Sequence, residues 1–204
     1  TIDDVVDVIR EDTDRSLMSM AGLDEDADTF APLMHAAPRR AIWLGINLVT
    51  AFIAASVINL FQGTIKEFVF LAVLMPIVAS MGGIAGTQTL TLMVRGIALG
   101  QVVKNNQTWL INRELVIGLM NGILWAVVVA IAASIWFQQW KIGLIIAAAM
   151  VINLVTAALA GAVLPLLMAR AKIDPALAGG VVLTTITDVV GFVSFLGLAT
   201  LLYA

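Results

Sequence analysis

Read along the chain, apolar positions fall into two regimes. From Thr1 to about Met20, Ile2, Val5, Val6, Ile9 and Leu17 recur at roughly helical spacing with Asp and Glu between them, the pattern of an amphipathic helix. Gly22, Pro32, Pro38 and a run of acids then predict a connector or short helix. After Arg40 the periodicity disappears and apolar residues run almost unbroken through five segments: Ala41 to Phe61, Phe68 to Val94, Leu115 to Phe137, Ile142 to Ala169 and Ala176 to Leu202. Each exceeds the roughly 20 residues a helix needs to cross about 30 Å of hydrocarbon. The pattern predicts an all-α integral membrane protein with residues 1–40 outside the bilayer and a five-helix domain over 41–204.

Composition agrees, with 61% hydrophobic and 12% charged residues, about half the charge of a soluble domain. Charge also orients the chain. Arg39, Arg40, Arg95, Lys104, Arg113, Arg170 and Lys172 fall on one side of the predicted spans and only Lys66 and Lys141 on the other. Basic residues accumulate in cytoplasmic loops, so the N-terminus is expected in the cytoplasm of a multi-pass inner-membrane protein. Trp43, Trp109, Trp136 and Trp140 sit near span ends, where interfacial anchors belong. The polar stretch between Arg95 and Arg113 is expected to lie along the cytoplasmic interface. Ten of the fourteen acids lie between Asp3 and Asp28, so the extramembrane segment is strongly acidic and offers nothing to nucleic acid. The chain begins at Thr1 with neither methionine nor a signal pattern, and is read as part of a longer protein with a further domain upstream.

Most catalytic chemistry lacks the parts. There is no cysteine and one histidine, His35 in the connector, so neither a thiolate metal site nor a nucleophile-base-orienter cluster can be assembled. One group stands out instead. Glu67, Glu114 and Asp174 fall at span ends, which leaves Asp188 as the acid deep inside a span, about 18 Å from the start of the fifth segment. An intramembrane aspartate costs about 2.5 to 3.5 kcal/mol, so it needs a polar cavity or a partner. No intramembrane Lys or Arg can pair with it. A cation arriving from water is the natural counter-charge, although a structural carboxyl bonded to a neighbouring helix would satisfy the same pattern.

Gly180, Thr184, Asp188, Gly191 and Phe195 recur at spacings of three or four and share a helix face, the expected wall of a path. Thr185 is expected to bond back to its own helix. In the second span, Pro76 is followed by Ser80, Gly82, Gly83, Gly86, Thr87, Gln88, Thr89 and Thr91, an irregular polar stretch. Gly83, Thr87 and Gln88 are candidates for the facing wall, because an amide in the bilayer needs partners. The pairs Gly82/Gly86 and Gly118/Gly122 fit close helix packing. Asn47, Asn59, Asn121 and Asn153, one or two to a span, fit interhelical bonding better than ligation.

These motifs, PIVASMGGIAGTQ from Pro76, RGIALG from Arg95 and DPALAGGVVLTTITDVVGFVSFLGLA from Asp174, resemble the membrane domain of the MgtE family of magnesium transporters. The initial TIDDVVDVIRED resembles the end of that family's regulatory domain and its plug helix. The resemblance implies a two-fold homodimer with a pore along the axis, in which Asp188 of both subunits meets a hydrated Mg²⁺. It also implies a cytoplasmic sensor domain upstream that closes the pore when Mg²⁺ is abundant. Ile84 departs from the family pattern, which usually carries asparagine there. The chemistry is compatible, since Mg²⁺ keeps several of its six waters and takes one or two carboxylates. Two facing aspartates would repel each other unless a proton or a cation lay between them. The leading reading is a channel-like conductor of a divalent cation. The alternatives are a proton-coupled exporter of Mg²⁺, Mn²⁺ or Co²⁺ and a non-conducting membrane anchor or assembly module.

Overall fold

The computed structural model describes residues 32–203. The amphipathic helix expected before Met20 and the acidic stretch that follows it lie outside the described residues. Among the described residues all regular structure is helical: α1 (Leu33–Leu60), α2 (Gln62–Glu67), α3 (Phe70–Ala98), α4 (Gln107–Phe137), α5 (Trp140–Arg170) and α6 (Pro175–Tyr203). All but α2 are long and apolar enough to cross a membrane. A helix is the natural solution for such sequences, because it satisfies its backbone internally where no water is available.

Helix α5 is the hub, packed against α3, α4 and α6, while α6 also contacts α3 and α1. The seam between α4 and α5 shows why. Helix α4 buries only Glu114, Gly118, Gly122, Ala126 and Ala133, and leaves Leu124, Trp125, Val128 and Ile131 exposed. Large apolar side chains lose nothing in lipid, so the small ones are turned inward to let backbones approach. A Cβ on Gly118 would stand 2.5 Å from the Cβ of Ala158 and 3.1 Å from the Leu154 carbonyl oxygen. One turn on, a Cβ on Gly122 would approach the Val151 backbone at 3.4 Å. The largest core layer joins Leu71, Leu74 and Val78 of α3 to Ile142, Ile145 and Ile146 of α5 and Phe195 and Leu196 of α6. Helix α1 is the least buried span.

The segment Met168–Ala176 fixes where α6 begins. Lys172 takes a left-handed conformation (φ 57°). The Ile173 N–H then bonds to the Met168 carbonyl at 2.9 Å and the Lys172 N–H to the Ala169 carbonyl at 3.2 Å, the paired bonds that close a helix C-terminus. Asp174 Oδ1 next accepts the Ala176 N–H at 2.8 Å, and Pro175 occupies the first helical position, where no donor is needed. The sequence Asp-Pro-Ala thus sets the start and phase of the helix that carries Asp188.

The largest departure from expectation is at α4. Its helix starts at Gln107, two turns before the predicted span, so Arg113 and Glu114 lie within the helix and not ahead of it. Arg170 Nη2 donates to Gln107 Oε1 at 2.9 Å, and Glu114 is buried against Thr89 and the Arg113 guanidinium. Only Leu99 to Asn106 remains as the connection, turned at Gly100 (φ 66°) and closed by Asn106, whose side chain bonds to Val103 N–H and the Gln101 carbonyl.

Candidate functional site

Helix α3 has two unlike faces. Val78, Gly82, Gly86, Thr89, Leu90 and Met93 are buried in the bundle. The other face presents Ser80, Gly83, Ile84, Thr87 and Gln88 at spacings of three and four, and with Ala79 they line an open cleft of about 510 Å³. Thr184 and Asp188 of α6 form its opposite wall. The volume is ample for a cation with its first-shell waters, each occupying about 30 Å³ in the liquid.

Asp188 stands at the middle of α6 (Pro175–Tyr203) and is partly exposed to the cleft. Among the described residues no Lys or Arg forms an ion pair with it and no donor hydrogen-bonds to its carboxylate. The hydroxyls around it are arranged as acceptors. Thr87 Oγ1 donates its proton to the Gly83 carbonyl at 2.8 Å, and Thr184 Oγ1 donates to the Gly180 and Val181 carbonyls at 3.1 and 3.0 Å. A threonine with its one proton committed to the backbone turns lone pairs outward. Thr185 bonds back to Val181 at 2.7 Å, as its sequence position implies, and Thr187 is fully buried. The cleft therefore offers a carboxylate, hydroxyl oxygens and an amide, all hard oxygen ligands suited to a cation that keeps much of its water. Among the described residues no cluster of three or more His, Cys, Asp or Glu exists to strip and hold a metal ion.

Five sequence candidates thus meet in one place: Gly83, Thr87, Gln88, Thr184 and Asp188. An added Cβ on Gly83 would touch nothing within 4 Å, so here glycine leaves space instead of permitting contact. Gly180 lies next door, in a smaller cavity of about 40 Å³ that also touches Thr87, Leu90 and Thr91. Gly191 does not face the cleft. It is buried, and a Cβ there would meet Asn153 Nδ2 at 2.9 Å and Val78 Cγ1 at 3.3 Å. Phe195, further along the same face, is wholly enclosed in the core. The helical spacing does define one face, but beyond Asp188 that face passes from cleft into packed protein. Sequence reasoning noted Ser80 in the polar stretch and Ile84 as a departure from the family pattern but did not count them among the wall candidates, although the three-and-four spacing from Gly83 and Gln88 points to both. It also placed Glu114 at a span end, whereas that carboxylate is 5% exposed, more deeply enclosed than Asp188.

Comparison with known proteins bears on this geometry. The model of the MgtE family, described as a divalent cation transporter, matches residues 75–198, the stretch that runs from α3 through α6. The chain is 31% identical over 200 residues to the magnesium transporter MgtE of Bacillus subtilis and 31% identical over 201 residues to that of Enterococcus faecalis, covering 98% of this chain in each case. Identity to the magnesium transporter MgtE of Thermus thermophilus is 26% over 204 residues. The chain spans 44% to 45% of the length of these relatives. With five apolar spans and a family match over both walls of the cleft, this multi-pass membrane protein belongs to the MgtE family of divalent cation transporters.

Proposed function

We propose that the chain forms the membrane pore of a magnesium transporter and that hydrated Mg²⁺ passes along the α3–α6 cleft, meeting Asp188 near the bilayer centre. The observation that carries this reading is a carboxylate in a membrane-spanning helix facing a cleft that also carries Ser80, Thr87, Gln88 and Thr184, with no basic partner among the described residues. A charge so placed is expensive unless a mobile cation neutralises it. Mg²⁺ suits the donor set, because it surrenders its water reluctantly and is held by one or two carboxylates through a largely intact shell.

The cleft is open to the outside of the protomer, where Ile84, Thr87 and Gln88 are exposed. A second copy related by a two-fold axis would close the groove into a pore and bring a second Asp188 opposite the first. In this reading the protein is a homodimer of the inner membrane. The acidic residues 1–40 and an upstream sensor domain lie on the cytoplasmic side, and residues 41–204 form the pore. Inward movement of a dication is then driven by about 4.6 kcal/mol per 100 mV, twice the value for a single charge.

The test is Mg²⁺ uptake into proteoliposomes for wild type and Asp188→Ala, with Mn²⁺, Co²⁺ and Ca²⁺ as competitors and with the pH gradient present or collapsed. Uptake that depends on Asp188 and persists without a pH gradient supports a conducting pore. Equal uptake by the two proteins contradicts it and favours a membrane anchor.

A further inference from the structure

Two polar side chains in the bundle, Asn153 on α5 and Thr187 on α6, are fully buried and take no part in the cleft, and of these Asn153 reaches across to another helix. Its Nδ2 donates to the Val78 carbonyl of α3 at 2.8 Å, and its Oδ1 has no partner among the described residues. Two glycines make room for it. A Cβ on Gly82 would overlap the amide, with Cγ only 2.8 Å away, and a Cβ on Gly191 would come within 2.9 Å of Nδ2. The amide is thus wedged between α3 and α6 at the depth of the cleft. Gly82 adjoins Gly83 on one wall, and Gly191 lies less than one turn past Asp188 on the other.

Packing alone does not call for asparagine. Leucine has the same branched outline and would leave no buried acceptor unpaired, a defect that native interiors rarely tolerate without a reason. What the amide supplies and leucine does not is a directional bond from α5 to the backbone of α3. The geometry points to Asn153 as a positioning residue for transport: it sets the separation and register of α3 and α6 from behind, and so the distance between the Ser80, Gly83 and Thr87 wall and Asp188. This inference rests on the proposed transport role of the cleft. Its consequence concerns selectivity. A hydrated Mg²⁺ and a larger, more readily dehydrated Ca²⁺ place different demands on cleft width, so loss of the tether changes their ratio and not merely the total flux.

The experiment compares Mg²⁺ and Ca²⁺ uptake in proteoliposomes for wild type, Asp188→Asn, Asn153→Leu and the double variant Gly82→Ala/Asn153→Ala, with thermal unfolding of each protein in detergent. In the double variant the new methyl enters part of the space the amide vacates, so packing is partly restored without the hydrogen bond. The expected result is a folded Asn153→Leu protein and a folded double variant, each with a Mg²⁺ to Ca²⁺ uptake ratio altered about three- to tenfold, the scale of one hydrogen bond. A wild-type ratio in either variant, alongside an inactive Asp188→Asn, overturns the role of Asn153 and leaves the transport reading intact. Failure of both variants to fold makes Asn153 purely structural and also overturns it. Equal uptake by wild type and Asp188→Asn overturns the transport reading itself, and the inference with it.

Discussion

The α4–α5 seam and the α3–α6 cleft are made from similar small residues with opposite results. At the seam, Gly118 brings two backbones together until no Cβ would fit, and one turn on a Cβ at Gly122 would already be in contact with the Val151 backbone. In the cleft, Gly83 has nothing within 4 Å of where its Cβ would be. The neighbours explain the difference. Around the seam glycines the exposed positions are mostly large and apolar, such as Leu124, Trp125 and Val128, with Asn121 the polar exception, so the helix hides its smallest stripe against protein and offers the rest to lipid. Around Gly83 the face carries Ser80, Thr87 and Gln88, which lipid would penalise, so this stripe of small residues borders an opening. A glycine at helical spacing in a membrane span therefore reads as contact or as space according to the polarity of the positions beside it. Gly82 and Gly83 show both readings one residue apart, because one step along α3 turns about 100° from the packed face to the open one.

The comparison can be broken most forcefully at the seam. Gly118→Leu should cost about 3 kcal/mol or more, since the new side chain would have to displace Ala158 and the Leu154 backbone. Loss of the folded species in detergent, followed by size exclusion and thermal unfolding, checks this. A smaller effect is expected at Glu114, which joins the seam to the buried face of α3. Arg113→Ala leaves a buried carboxylate without its 2.9 Å partner and should destabilise by about 1 to 2 kcal/mol, discounted because the guanidinium is half exposed. Glu114→Gln removes the buried charge while keeping an oxygen that can accept from Thr89 and Arg113, and should cost less than Arg113→Ala in the same unfolding assay. The reverse order would mean that Glu114 is not held by Arg113. The smallest change in stability belongs to the cleft. Gly83→Ala should leave the fold intact or firm it by about 0.5 to 1 kcal/mol, since it replaces a mid-helix glycine in open space. If the cleft carries the ion as proposed, it should nevertheless reduce Mg²⁺ uptake, because the methyl projects into the cleft.

How far each region could be read from the sequence follows the same physics. The five spans were visible because a long apolar run has few other uses, and Thr184 with Asp188 was visible because a charge in such a run demands an explanation. The start of α4 was hidden. Gln107, Arg113 and Glu114 read as connector or span-end residues until Arg170 is seen to bond to Gln107 and Thr89 and Arg113 to Glu114, and pairing across helices leaves no mark on a single sequence. Gly191 lies outside the cleft for a related reason. Spacing from Asp188 defines its face of α6, but only the neighbouring helices decide how far along that face the cleft extends, and Asn153 with Val78 closes it there. Ser80 could have been found from the spacing of Gly83, Thr87 and Gln88 alone.

The central claim is that a negative charge at position 188 acts on a passing dication, and it is tested most directly by varying charge and length separately. Mg²⁺ uptake should be abolished in Asp188→Asn, which keeps the shape and loses the charge, and partly retained in Asp188→Glu, which keeps the charge and extends it by about one bond length. Uptake by Asp188→Asn equal to that of wild type would contradict the account.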